Sequence, residues 1–159
     1  MLSLVLSADL AGVTELRPKD TPENPYFYTF KVQCTSCRET HPNWVSFNRF
    51  EQHEIPGSRG EANFVWKCKL CQKTHSASVT AGPNTYEAEG KSEQKIIDID
   101  CRGLEFTEFK ADGEWEAKGV ESSTPFTSVD LSEGEWYDYD EKAGEEVSVR
   151  DVKFDIRRA

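Results

Sequence analysis

Tyr26-Phe27-Tyr28-Thr29-Phe30-Lys31-Val32-Gln33-Cys34-Thr35-Ser36-Cys37 carries the decision on the fold. Its first seven residues are mostly aromatic or β-branched, the composition of a pleated, half-buried strand. The strand runs straight into Cys-x-x-Cys, a tight turn that sets two sulfurs on one side. The arrangement returns once, where Asn63-Phe64-Val65-Trp66-Lys67 delivers Cys68-Lys69-Leu70-Cys71. Two such knuckles facing each other supply the tetrahedral all-sulfur set that Zn²⁺ accepts.

One Cys-x-x-Cys alone would also suit a redox dithiol. Two of them, in a chain with a single further cysteine, point to metal. The expected ligands are Cys34, Cys37, Cys68 and Cys71, holding one Zn²⁺ per chain. Four thiolates leave a net negative charge that the site must balance or hydrate. Arg38, Lys67, Lys69 and Lys73 flank the knuckles and are candidates, as are the N–H groups of the turns. His75 lies close enough to Cys71 to substitute as a ligand, but four thiolates leave no place for it, His41 or His53.

Away from the knuckles, alternation dominates. Leu2, Leu4, Leu6, Ala8 and Leu10 share one parity against Ser3, Ser7 and Asp9, which reads as a half-buried strand. Residues 44–47, 76–80, 96–101, 114–120, 148–152 and 152–156 read as further strands. Residues 17–25 and 55–60, rich in Pro or Gly, are loops, and 82–94 is a polar link. No segment of ten residues shows a helical period, so the fold class is all-β. The halves also echo each other. Asp9-Leu10-Ala11-Gly12-Val13 aligns with Asp100-Cys101-Arg102-Gly103-Leu104, and residues 26–32 fall opposite 114–120. The echo predicts two tandem small β-barrel or sandwich halves packed together, a zinc-binding one over 1–90 and an acidic, metal-free one over 91–159.

Charge separates function classes. The net charge is −10, and all of it lies in residues 72–159, which carry twenty-one acids against eleven bases. Nucleic-acid binding needs a basic face to neutralise phosphates, so it is excluded as an expectation. No stretch approaches the length of an apolar membrane span. The apolar opening is too short, and lacks the basic region, for a signal peptide. Paired Cys-x-x-Cys spacing with an odd cysteine count suits a reducing compartment. The expectation is a monomer in the cytoplasm, with the nucleus as a second compartment.

Longer motifs resemble a known family. Gly60 with Lys67-Cys68-Lys69-Leu70-Cys71, then Cys101-Arg102-Gly103-Leu104-Glu105, Gly119-Val120-Glu121-Ser122, and Trp136-Tyr137-Asp138-Tyr139-Asp140-Glu141-Lys142-Ala143 resemble, in order and spacing, the eukaryotic CXXC-motif zinc-binding protein family. The resemblance implies a tandem β-barrel with one structural zinc in the N-terminal half and no known reaction. It implies the same four cysteine ligands. Arg38 stands where many knuckles carry glycine.

Three functional classes are compatible with these residues. A closed four-thiolate site suits a non-enzymatic module that binds a protein partner. A thiol enzyme resembling B-type methionine sulfoxide reductases would use Cys101, with Arg102 lowering its pKa, but the strand parity of Cys101 reads as core. A metal-trafficking protein would need open coordination. Residues 130–146 hold eight acids and the aromatic trio Trp136, Tyr137 and Tyr139. They are the expected docking surface for a basic protein, with Trp136 partly buried as an anchor.

Overall fold

The computed structural model describes residues 1–159, and every regular element in it is a strand. In chain order these are β1 (Leu2–Ala11), β2 (Val13–Pro18), β3 (Tyr28–Cys34), β4 (Val45–Phe47), β5 (His53–Glu54), β6 (Glu61–Ala62) and β7 (Phe64–Lys67). There follow β8 (Thr74–Ala81), β9 (Glu93–Arg102), β10 (Leu104–Lys110), β11 (Glu114–Gly119), β12 (Pro125–Asp130), β13 (Trp136–Asp140) and β14 (Glu145–Arg158). The all-β class is as the sequence predicts.

One six-stranded antiparallel sheet, ordered β13-β14-β1-β9-β8-β7, curls against two three-stranded sheets, β10-β3-β4 and β12-β11-β2. A two-stranded hairpin, β5-β6, completes the fold. The inner faces enclose one continuous core of 25 buried apolar residues. Phe30, Phe47 and Phe106 stack within it, with ring centroids 4.3–5.8 Å apart. Trp115 is fully buried and donates its indole N–H to the Tyr26 hydroxyl at 3.1 Å, which satisfies the one polar atom that burial would otherwise strand.

The echo in the sequence is a symmetry of the fold. Read from either end, the large sheet runs edge hairpin, then a central strand: β7-β8-β9 meets β1-β14-β13 along the antiparallel pair β1–β9. The small sheets obey the same rule, since β10-β3-β4 corresponds to β2-β11-β12. Gly12 and Gly103 bend the chain between β1 and β2 and between β9 and β10, at φ +76° and +84°. Registers repeat as well: Phe64 pairs with Ala77 as Trp136 pairs with Val149, and Cys34 pairs with Leu104 as Gly119 pairs with Val13. In each case the first strand pair of one half is traded into the other. β8 and β3 take β9 and β10 as neighbours, while β14 and β11 take β1 and β2. The link at 82–94 joins β8 to β9 and includes the first two residues of β9, and strands from both sides of it share the six-stranded sheet and both three-stranded ones. This exchange delivers both knuckles to one end of the fold.

Candidate metal centre

The first knuckle is the end of β3, and the second is the turn between β7 and β8. Each closes the same way. Arg38 N–H donates to Cys34 C=O and Cys34 N–H to Glu39 C=O, both at 2.9 Å. In the second, Gln72 N–H donates to Cys68 C=O and Cys68 N–H to Lys73 C=O, at 2.9 and 3.0 Å. Arg38 and Gln72 are left-handed, at φ +66° and +63°, the conformation that normally favours glycine at this turn position. A third bond, from Thr35 N–H to Gly103 C=O at 3.0 Å, ties the first knuckle to the bend between β9 and β10.

The two turns bring Cys34, Cys37, Cys68 and Cys71 together with all four sulfurs within 4.8 Å of one another. The short contacts cross between knuckles: Cys34 to Cys71 and Cys37 to Cys68 are each 3.6 Å. Zn–S bonds of about 2.3 Å in a tetrahedron place sulfurs roughly 3.8 Å apart. The cluster therefore has the size of a metal centre, and all five cysteines of the chain are free thiols. Cys34 and Cys68 are buried, Cys37 and Cys71 half-buried.

The clustered thiols divide charge unevenly. Burial pushes the Cys34 thiol up, but N–H donation from Cys37 and Ser36 and the contact with His75 outweigh it, and its pKa falls to about 6. At Cys37 donation from the Glu39 N–H is outweighed by burial and by sulfur neighbours that compete for charge, and its pKa rises to about 12. Four thiols this close cannot all ionise unless a cation sits among them. The flanking Arg38, Lys67, Lys69 and Lys73 are all exposed to solvent, and the sulfurs' side-chain contacts run to one another and to His75 instead.

His75 is a candidate functional residue whose place beside Cys34 the sequence does not show. It is not among the four clustered donors. Its Nε2 lies 3.2 Å from the Cys34 sulfur in a buried contact, placed where an imidazole can support a thiolate ligand. A Cβ at residue 103 would run into the His75 ring, so Gly103 is what admits the imidazole. The signal was available only through topology, because the residue that makes room for His75 lies on a different half of the chain.

Cys101 stands apart from the cluster. It sits on β9 opposite Ala77 and packs half-buried against the core. Burial pushes its thiol up to about 12, with Asp100 and Glu105 adding to the rise and the N-terminal charge opposing it. Arg102 points to the other face of the strand and pairs with Asp100 at 3.3 Å. Trp136 is half-buried and meets Phe126 edge-on at 5.5 Å, while Tyr137 and Tyr139 are exposed.

An all-strand fold that gathers four thiols from two knuckle turns defines a small β-protein with four cysteines placed to hold a metal ion. The chain belongs to the eukaryotic family of CXXC motif containing zinc binding proteins, whose family model matches residues 3–157. It is 46% identical over 157 residues to a UPF0587 protein of Schizosaccharomyces pombe, covering 99% of this chain and 98% of the relative. It is 35% identical to the human CXXC motif containing zinc binding protein, covering 95% and 94%. The crystal structure of C1orf123 shares the fold at a TM-score of 0.91 with 34% identity, covering 99% of both chains. A hypothetical protein from Plasmodium falciparum shares it at 0.86 with 23% identity over 98% of both, which speaks to fold alone.

Proposed function

We propose that this protein is a non-enzymatic binding module whose Cys34, Cys37, Cys68 and Cys71 hold one structural Zn²⁺, and whose acidic edge docks a basic protein segment. The closed donor set carries the reading. Structural zinc has all four positions filled by protein, whereas catalytic zinc keeps one for water or substrate. The thiol that a reductase would require is pushed up rather than down, opposite to what nucleophilic cysteines need. Thiolate zinc persists in reducing compartments, which suits the cytoplasm and the nucleus.

The docking surface is β13. It is an outer strand of the large sheet, hydrogen-bonded to β14 on one side only. Tyr137 and Tyr139, 60% and 51% exposed, project from one of its faces. Glu133, Glu135, Asp138 and Glu141 are exposed around them. Exposed aromatics within a charged rim are what recognition surfaces use, and the sign of the rim selects a basic partner.

Affinity capture from cells at low and high salt tests this, comparing wild type with Glu133→Gln/Glu135→Gln/Asp138→Asn/Glu141→Gln. Wild type should recover basic partners that are lost at high salt, where exposed charges are screened, and the variant should lose them at both. Equal recovery by both proteins at both salt levels would refute the docking surface.

A further inference from the structure

We infer that the metal-free half contains the counterpart of the metal centre, at Gly119, Ser122, Asp140 and Ala143, and that there the Asp140 carboxylate replaces the ion as the cross-link between two knuckle turns. The inference rests on reading the four-cysteine cluster as a metal centre.

The backbone gives the correspondence. In the second half, Ser123 N–H donates to Gly119 C=O at 3.1 Å and Gly119 N–H to Thr124 C=O at 2.9 Å, the bonding that Arg38, Cys34 and Glu39 make in the first knuckle. Gly144 N–H donates to Asp140 C=O at 2.7 Å, as Gln72 does to Cys68. The left-handed residue recurs at the same step of each turn, Ser123 at φ +59° and Gly144 at +69°. Val120 N–H reaches Gly12 C=O at 3.0 Å, just as Thr35 N–H reaches Gly103 C=O. Position by position, Cys34 maps to Gly119, Cys37 to Ser122, Cys68 to Asp140 and Cys71 to Ala143. His75 maps to Val147, and a Cβ on Gly12 would run into Val147 as one on Gly103 would into His75.

Burial and direction agree. The four positions repeat the pattern of the cysteines: buried, half-buried, buried, half-buried. They also converge, because a Cβ built on Gly119 would point into Ser122 Oγ and Asp140 Oδ2. At that point of convergence the carboxylate collects donors. Ser122 Oγ donates to Asp140 Oδ2, Thr124 Oγ1 donates to Oδ1 at 2.9 Å, and Ala143 N–H donates to Oδ1 at 3.2 Å. Ser122 and Thr124 belong to one turn, Asp140 and Ala143 to the other. The bonds therefore join the two turns that correspond to those the sulfurs join in the first half. A buried carboxylate with several donors needs no counter-ion, whereas four thiolates do.

Rebuilding the lost ligand set tests the assignment in the full chain. Gly119→Cys/Ser122→Cys/Asp140→Cys/Ala143→Cys replaces both side chains that a Cβ at residue 119 would strike, and Gly119 is not left-handed. Wild type should bind one Co²⁺ or Zn²⁺ per chain and the variant two, with the cobalt–thiolate absorbance doubled. A folded variant that still takes one metal overturns the inference, while a metal-free wild type overturns the reading of the first site instead. Should the variant not fold, hydrogen exchange of Asp140→Ala decides. Amides of residues 119–124 and 140–145 should lose protection together, by tenfold or more, while residues 34–39 and 68–73 keep theirs. Protection retained at 119–124 overturns it.

Discussion

His75 sets its Nε2 3.2 Å from the Cys34 sulfur, so a single imidazole bears on the buried end of the first knuckle. The four cysteines were legible because Cys-x-x-Cys fixes a local geometry and needs only one partner elsewhere. His75 was weighed as a ligand and set aside, and the structure places it outside the four clustered sulfurs. Its contact with Cys34 was invisible because it depends on Gly103, which no local pattern connects to the knuckles. The bases beside the knuckles are exposed, since proximity in sequence does not by itself aim a long side chain at a buried sulfur. The consequence is specific. Removing a group that supports a metal ligand typically costs 10–100-fold in metal affinity. His75→Ala should therefore weaken zinc retention about 10–100-fold in competition with a chelator, leaving the strands in place by circular dichroism. Unchanged retention would mean the imidazole is only packing.

At the level of elements, alternation located most strands, and it failed where neighbours change the environment. β1 was read as half-buried, yet Leu2 through Leu6 are all buried, including Ser3 and Val5 on the polar parity. The cause is position, since β1 lies between β14 and β9 and Ser3 donates to Asp98 at 2.6 Å. Residues 148–156 were read as two strands, and they are one long β14 whose period breaks at Asp151, left-handed at φ +53° beside a register shift against β1. β13 alternates tyrosine with aspartate, so its charge hides a strand that hydropathy alone does not reveal. The link at 82–94 hides an anchor, Tyr86, whose hydroxyl donates to the carbonyls of Ala8 and Ser92.

The turn that follows β13 carries a pH dependence. Hydrogen bonds from Ser122, and also from Ala143, Lys142 and Thr124, hold the Asp140 pKa below the usual carboxylate range against the opposing effect of burial. A carboxylate whose folded pKa is depressed stabilises the fold above its unfolded pKa of about 3.9 and loses that contribution as pH falls through the folded value. Wild type should therefore unfold at higher temperature than Asp140→Asn above about pH 5, the gap closing below about pH 4. A gap that persists unchanged to pH 3 would contradict the role of the charge.

For the molecule as a whole, the tandem was legible only as a weak echo around Gly12 and Gly103, and its meaning lay in pairing that a sequence does not print. The halves trade their first two strands, so the β1–β9 pair sits at the centre of the large sheet. One half then closes its open end with sulfur, and the other closes the equivalent end with a carboxylate. A metal that joins two turns contributes folding free energy outright, on the order of 10 kcal/mol in small zinc-dependent domains. The direct measurement is elemental analysis of the purified chain beside Cys34→Ser and Cys68→Ser, with thermal unfolding of each. One zinc per wild-type chain, with both variants losing the metal and much of their stability, is the predicted result. Wild-type protein containing well under one zinc per chain, no other metal in its place and an unchanged melting temperature in both variants, would contradict it.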